Sequence, residues 1–231
     1  MTMISGTHTV PIAAVQMNPR LADVPANRAK IEDLFGQAVS EGAKLVAFPE
    51  CALSGYCFQD RDEARPHAET IPGPTSESLA ALCRDQNAYL LLGLLENRGD
   101  DLFNACMLLG PTGLVATYRK VHLPFLGVDR FTTPGDRPFA VHHLADLDLR
   151  VGMHICYDGS FPEAARVMAL EGADLLILPT NWPPGAECAA EHMVATRAME
   201  NVCYYMAINR VGEERGFRFI GPTVMYAHMQ A

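Results

Sequence analysis

Apolar positions in this chain follow two periods in turn, and the switches between them set out an order of elements. Residues 9–17, TVPIAAVQM, are an apolar run rich in β-branched side chains that Asn18-Pro19 closes, which predicts a buried strand. From Asn27 the period changes, and Ile31, Leu34, Phe35 and Ala38 share one helical face that Gly42 ends. Residues 44–48, KLVAF, return to a short buried strand that stops at Pro49-Glu50. Strand, helix, strand is the unit of a layered α/β domain.

The same reading continues to the end of the chain. Pro72-Gly73-Pro74 breaks it before a helix over residues 76–86 with Leu79, Leu82 and Cys83 inward, and residues 89–95, YLLLGLL, are an inner strand. Residues 102–109 and 114–118 flank Gly110-Pro111-Thr112-Gly113, a hairpin signal, and a second hairpin joins residues 139–142 to 149–155 through Ala145-Asp146. Val151, Met153 and Ile155 alternate as strand residues leading to Cys156. Ser160-Phe161-Pro162-Glu163 reads as a capping box for a helix over residues 161–171. A strand at 173–178, the loop PTNWPPG, a long helix over 186–201 and a strand pair at 204–209 and 217–220 around GEERG complete the series, without internal repeats.

Composition narrows the class. A chain of 231 residues, 49% hydrophobic, can bury one sizeable core, so a single domain over residues 1–231 is expected. Eighteen basic against twenty-seven acidic residues, with no basic stripe, give no footprint for nucleic acid. No apolar run is long enough to span a bilayer, and MTMISGTHTV lacks the regions of a secretion signal. The seven cysteines are odd in number and form no CxxC pair, and the eight histidines show no HxxxH or HExxH spacing. A cytoplasmic protein with reduced thiols and no metal is expected.

Three strand ends then carry chemistry: a carboxylate at Glu50, an ammonium at Lys120 and a thiol at Cys156. A carboxylate can take the thiol proton, the thiolate can attack a carbon bonded to nitrogen, and the ammonium can stabilise the negative charge that develops. Cys156 is further expected to feel the positive end of the helix that follows, which favours the thiolate. The plain alternative is a solvated loop carboxylate at Glu50 and a buried structural cysteine at Cys156, and Glu, Lys and Cys are all common residues.

The words around these residues resemble the nitrilase superfamily of carbon-nitrogen hydrolases. The matching segments are FPE at 48–50 with LSGY at 53–56, YRKVHLP at 118–124, TPGD at 133–136, GMHICYDGSFPEAAR at 152–166, GADLLILPTNWP at 172–183, INRVG at 208–212 and FRFIG at 217–221. They run in the family's order from Val10 to about Gly221. The resemblance implies a four-layer αββα sandwich of two mixed sheets, no cofactor, and a homodimer or higher homo-oligomer. It implies Glu50 as general base, Cys156 as the nucleophile of an acyl-enzyme, Lys120 as the charge stabiliser and the backbone N–H of Tyr157 as an oxyanion donor. It also places Tyr56, Phe125, Asn181 and Trp182 at a substrate pocket.

Tyr157-Asp158 after the cysteine is more similar to the amidase and carbamoylase branches than to the nitrilase branch, where Trp-Glu is usual. A small linear carboxamide is therefore the expected substrate, with an N-carbamoyl hydrolase, an acyltransferase and a non-catalytic binding protein of the same fold as alternatives. Two departures stand out. Where many members carry a second glutamate the count falls on Val128, so either Asp129 serves as auxiliary acid with a one-residue shift or this branch works without one. Beyond Gly221 the chain continues only as PTVMYAHMQA, shorter than the family's usual tail. Arg130 and Arg166 are the candidate clamps for an anionic substrate.

Overall fold

A computed structural model describes residues 9–227. Strands β1 (Ile12–Ala14), β2 (Leu45–Ala47), β3 (Tyr89–Arg98), β4 (Asp101–Gly110) and β5 (Gly113–Arg119) form one five-stranded sheet in that order. β1, β2 and β3 are parallel, and β4 and β5 return antiparallel. β6 (Val141–Leu144), β7 (Leu149–Met153), β8 (Leu175–Thr180), β9 (Tyr204–Asn209) and β12 (Val224–Tyr226) form the second sheet, in the order β12-β9-β8-β7-β6. The short strands β10 (Glu213–Glu214) and β11 (Phe217–Arg218) pair in a ribbon of their own.

Alternation along the strands explains the layering. Val46, Leu90, Leu92, Met107 and Leu109 pack on Ile31 and Phe35 of helix α1 (Val24–Ser40) and on Leu79 and Cys83 of helix α3 (Pro74–Gln86), beyond the short helix α2 (Arg61–Ala64). Their neighbours Leu45, Ala47, Leu91, Cys106 and Leu108 face the other way and share a core with Val151, Met153 and Ile177 of the second sheet. The far side of that sheet is covered by helix α4 (Pro162–Leu170) and helix α5 (Val194–Asn201), through Ala165, Met168, Val194 and Ala198. The result is helices, sheet, sheet, helices, the αββα sandwich of two mixed sheets.

Several local expectations change. Helix α1 begins at Val24 because the Asp23 side chain accepts the Ala26 N–H and caps it. The expected long strand over residues 9–17 pairs only through Ile12–Ala14. Residues 204–209 and 217–220 are not partners: β9 lies between β8 and β12, and Phe217–Arg218 pairs with Glu213–Glu214 instead. Ser160 does not cap α4, whose N-cap is Phe161 without a side-chain bond, since Ser160 closes a separate 3-10 turn, Cys156–Ser160. The continuous helix expected over 186–201 is split by a π-helical turn, Ala189–Met193. Residues 1–8, on which most of the absence of a signal was read, and residues 228–231 of the short tail lie outside the described residues.

Candidate active site

β2 delivers Glu50 into a tight turn, and the turn can lie there only because β3 carries a glycine opposite it. A Cβ on Gly93 would fall 2.4 Å from Pro49 O and 2.7 Å from Glu50 Cα. β5 delivers Lys120 one residue past its last paired position, where the Lys120 N–H donates to Asn104 O at 2.8 Å. Gly135 of the TPGD segment donates its N–H to Lys120 O at 2.8 Å from the other side. β7 delivers Cys156, whose backbone has φ 46, the left-handed region that non-glycine residues adopt seldom. This sharp bend turns the chain out of the sheet into the 3-10 turn.

Side chains from these ends converge. Lys120 Nζ donates to Glu50 Oε1 at 2.7 Å and to Asp129 Oδ2 at 2.6 Å, with all three side chains fully buried. Asn104 Nδ2 donates to Glu50 Oε1 at 2.7 Å and to Asp129 Oδ1 at 2.9 Å, and the Tyr56 hydroxyl donates to Asp129 Oδ2 at 2.8 Å. Asp129, carried by the 3-10 turn Gly127–Arg130, thus stands at the ammonium despite the one-residue shift. The second oxygen of Glu50, Oε2, is buried and has no partner. A buried carboxylate oxygen left without a donor costs free energy and is where an incoming proton would be held.

Electrostatics follow from this cluster. Burial pushes the Glu50 carboxyl up from its ordinary value, with Lys120 pulling the other way and Asp129 adding to the rise. Burial acts against the Lys120 charge, but Glu50 and Asp129 override it and hold the ammonium well above its ordinary value. The Cys156 thiol is pushed far up, chiefly by burial and then by Glu50, while Lys120 and the backbone N–H of Asn181 act to lower it. The expectation of a thiolate favoured by a helix dipole is therefore corrected. α4 starts only at Pro162, and desolvation exceeds any help from the turn between. The charges of Glu50 and Lys120 act on the thiol in opposite directions, Glu50 raising it and Lys120 lowering it.

Cys156 lies in the wall of a cavity of about 530 Å³, together with Tyr56, Tyr157, Asn181 and Trp182. The amide of Asn181 is buried there with neither its oxygen nor its nitrogen bonded. Phe125, expected on this wall, is not part of it. Its side chain is 89% exposed and borders a neighbouring pocket, because Leu126 is the residue of that loop that turns inward. The first hydrogen bond of the nucleophile turn runs from the Asp158 N–H to Ile155 O at 3.0 Å, so the Tyr157 N–H precedes the ladder and is left for another acceptor.

Residues that sequence reasoning missed hold the site in place. Asn104 bridges Glu50 and Asp129 from mid-strand β4, where an isolated polar residue in an apolar run was the one available signal. Asp158 accepts from the Tyr118 hydroxyl at 2.7 Å, the Ile155 N–H at 3.0 Å and the His122 N–H at 2.9 Å, fastening the cysteine turn to the lysine loop. Burial alone would raise Asp158; the bonds from His122 and Tyr118 outweigh it and hold the carboxyl below its ordinary value. Glu214 accepts the N–H groups of Tyr56 and Cys57, both at 2.9 Å, and is itself held by Arg210. Among the described residues no cluster of three or more His, Cys, Asp or Glu side chains could hold a metal, and no helix is long and apolar enough to cross a membrane.

The family model for carbon-nitrogen hydrolases matches residues 11–229 of this sequence. The chain belongs to the carbon-nitrogen hydrolase family. A protein described as a nitrilase from Pyrococcus abyssi is 40% identical over 217 residues, covering 94% of this chain and 80% of its own length. An omega-amidase from Xenopus tropicalis is 32% identical over 193 residues, covering 79% of this chain and 68% of its own. Among solved structures, a mutant of the amidase from Nesterenkonia sp. AN1, carrying the acetamide moiety of fluoroacetamide on its active-site cysteine, superposes with a TM-score of 0.82 at 25% identity. That match covers 96% of this chain and 84% of the other. This carbon-nitrogen hydrolase falls in the amidase-like branch of the nitrilase superfamily.

Proposed function

We propose that this hydrolase cleaves the C–N bond of a small linear carboxamide through an acyl-enzyme on Cys156, releasing ammonia. The carrying observation is the buried Lys120 ammonium bound to Glu50 and Asp129 while Glu50 Oε2 stays free, beside a cavity that Cys156 lines. Because the resting thiol is pushed up, proton transfer and attack are coupled. Glu50 takes the Sγ proton as Sγ bonds to the carbonyl carbon. The oxyanion then forms against the Tyr157 N–H and Lys120 Nζ. Collapse breaks the C–N bond, Glu50 returns its proton to the leaving nitrogen, and ammonia departs. Water, deprotonated by Glu50, attacks the thioester, and collapse releases the carboxylic acid and restores the thiol. Asp129 holds the ammonium in position, and the unbonded Asn181 amide is a donor and acceptor for the substrate amide.

Support comes also from the Nesterenkonia amidase, whose active-site cysteine accepts an acetamide group. The test is ammonia release from short aliphatic amides, ω-amides, N-carbamoyl amino acids and nitriles. Release from the amides supports the reading, and release from nitriles alone overturns it. Turnover with water as the only acceptor separates hydrolysis from acyl transfer, since a hydrolase yields free acid there and a transferase needs an added amine or alcohol. A homodimer is proposed through the exposed Val167 and Leu170 of α4 and Met199 of α5, with sedimentation at working concentration as its check.

A further inference from the structure

The lining of the Cys156 cavity is polar in part and apolar in part. Besides Cys156, its polar lining residues include Ser160, Tyr157 and Asn181, whereas Ala186, Ala189 and Met193 contribute apolar lining from the segment that follows the loop PTNWPPG. Ala189 and Met193 belong to the π-helical turn Ala189–Met193, while Ala190 and the following Val194 lie in the core instead. Ala189 and Met193 stand at the two ends of this turn, and π turns of this kind occur frequently at functional sites.

Charge points the same way. Among the described residues, no Lys, Arg or His lines the cavity. Lys120 is bound by two carboxylates. The Arg130 guanidinium is held by Phe58 O at 2.9 Å and Gln59 O at 3.1 Å and borders the neighbouring pocket, and Arg166 is exposed on α4. A substrate carboxylate would lose its hydration in this cavity and find no Lys, Arg or His in its lining to offset that loss. A hydrocarbon tail would lose only unfavourable contact with water.

We infer that this cavity takes an uncharged hydrocarbon acyl group, with Ala186, Ala189 and Met193 setting the accepted chain length, and rejects amides that carry a free carboxylate. This rests on the amidase reading above and names its acyl specificity. The experiment measures kcat/KM by ammonia release for acetamide, propionamide, butyramide, hexanamide, 4-methylpentanamide and succinamate, the last two being nearly the same shape and differing in charge. Expected is a rise of roughly fourfold per methylene until the cavity is filled. Succinamate should fall at least roughly 100-fold below 4-methylpentanamide. Succinamate turned over as fast as its neutral counterpart would overturn the inference and leave the amidase reading standing. Silence from every amide would overturn both. Ala189→Leu should lower the ratio of hexanamide to propionamide kcat/KM about tenfold, and an unchanged ratio would remove this wall from the specificity.

Discussion

The ammonium of Lys120 lies 2.6 Å from the carboxylate of Asp129, nine positions along the chain. The same nitrogen holds Glu50 at 2.7 Å, so Asp129 fixes where the ammonium sits relative to the base. Asp129→Asn keeps the shape and removes the charge. We expect kcat to fall by roughly 10- to 1000-fold with the fold retained, as for loss of one partner in a buried charge network. An unchanged kcat would reduce Asp129 to packing.

The pH profile follows from Glu50. The base works ionised, so activity is lost as pH falls through its folded-state pKa. Burial places that pKa above the ordinary 4.5, and the acidic limb of kcat/KM should lie above 4.5 accordingly. Asn104→Leu removes a donor that acts to lower the Glu50 pKa, so the limb should move to higher pH. A limb that stays in place, or moves down, would contradict the assignment of the base. Lys120 is held above its ordinary 10.5, so its ammonium should persist across the neutral and mildly alkaline range.

Much of this was legible in the sequence, for physical reasons that also explain what was not. Glu50, Lys120 and Cys156 announce themselves because each stands within three residues of a strand's end, and the strands themselves follow from period and turn residues. The hairpin of β4 and β5 was readable from Gly110-Pro111-Thr112-Gly113, because a short turn fixes its own partners. The placement of Phe217–Arg218 was not, since strand partners far apart in sequence leave no local sign and β9 was claimed by β8 and β12. The π turn was hidden as well, because apolar residues at 186, 189, 190, 193 and 194 fit an ordinary helix face. Phe125 and Leu126 are both large and apolar, and only the backbone direction of the loop decides which one turns inward.

Thiol reactivity separates the burial argument from the earlier dipole argument. Cys188 is exposed at the mouth of the cavity, while Cys156 is buried with its thiol pushed up. A bulky aromatic disulfide reagent near neutral pH should label Cys188 first, with peptide mapping as the readout. Cys156 labelled first by this reagent would show a free thiolate in the resting enzyme.

Gly93 tests how the fold places the base. Any Cβ there meets Pro49 O at 2.4 Å and Cys51 N at 2.7 Å, all backbone, so Gly93→Ala must displace the Glu50 turn. We expect kcat/KM to fall by at least roughly 100-fold, in line with the cost of a catalytic group moved by about 1 Å. Native-like activity in that variant would show that the turn can shift without moving the carboxylate.

The central claim is an acyl group carried by Cys156. The most direct measurement is rapid-quench intact-mass analysis during butyramide turnover, followed by mapping of the modified peptide, on the wild type and on Cys156→Ala. The account predicts a butyryl adduct confined to the peptide holding Cys156 in the wild type, and neither adduct nor ammonia from Cys156→Ala. An adduct on another residue, or ammonia released by Cys156→Ala at a rate near the wild type's, would contradict it.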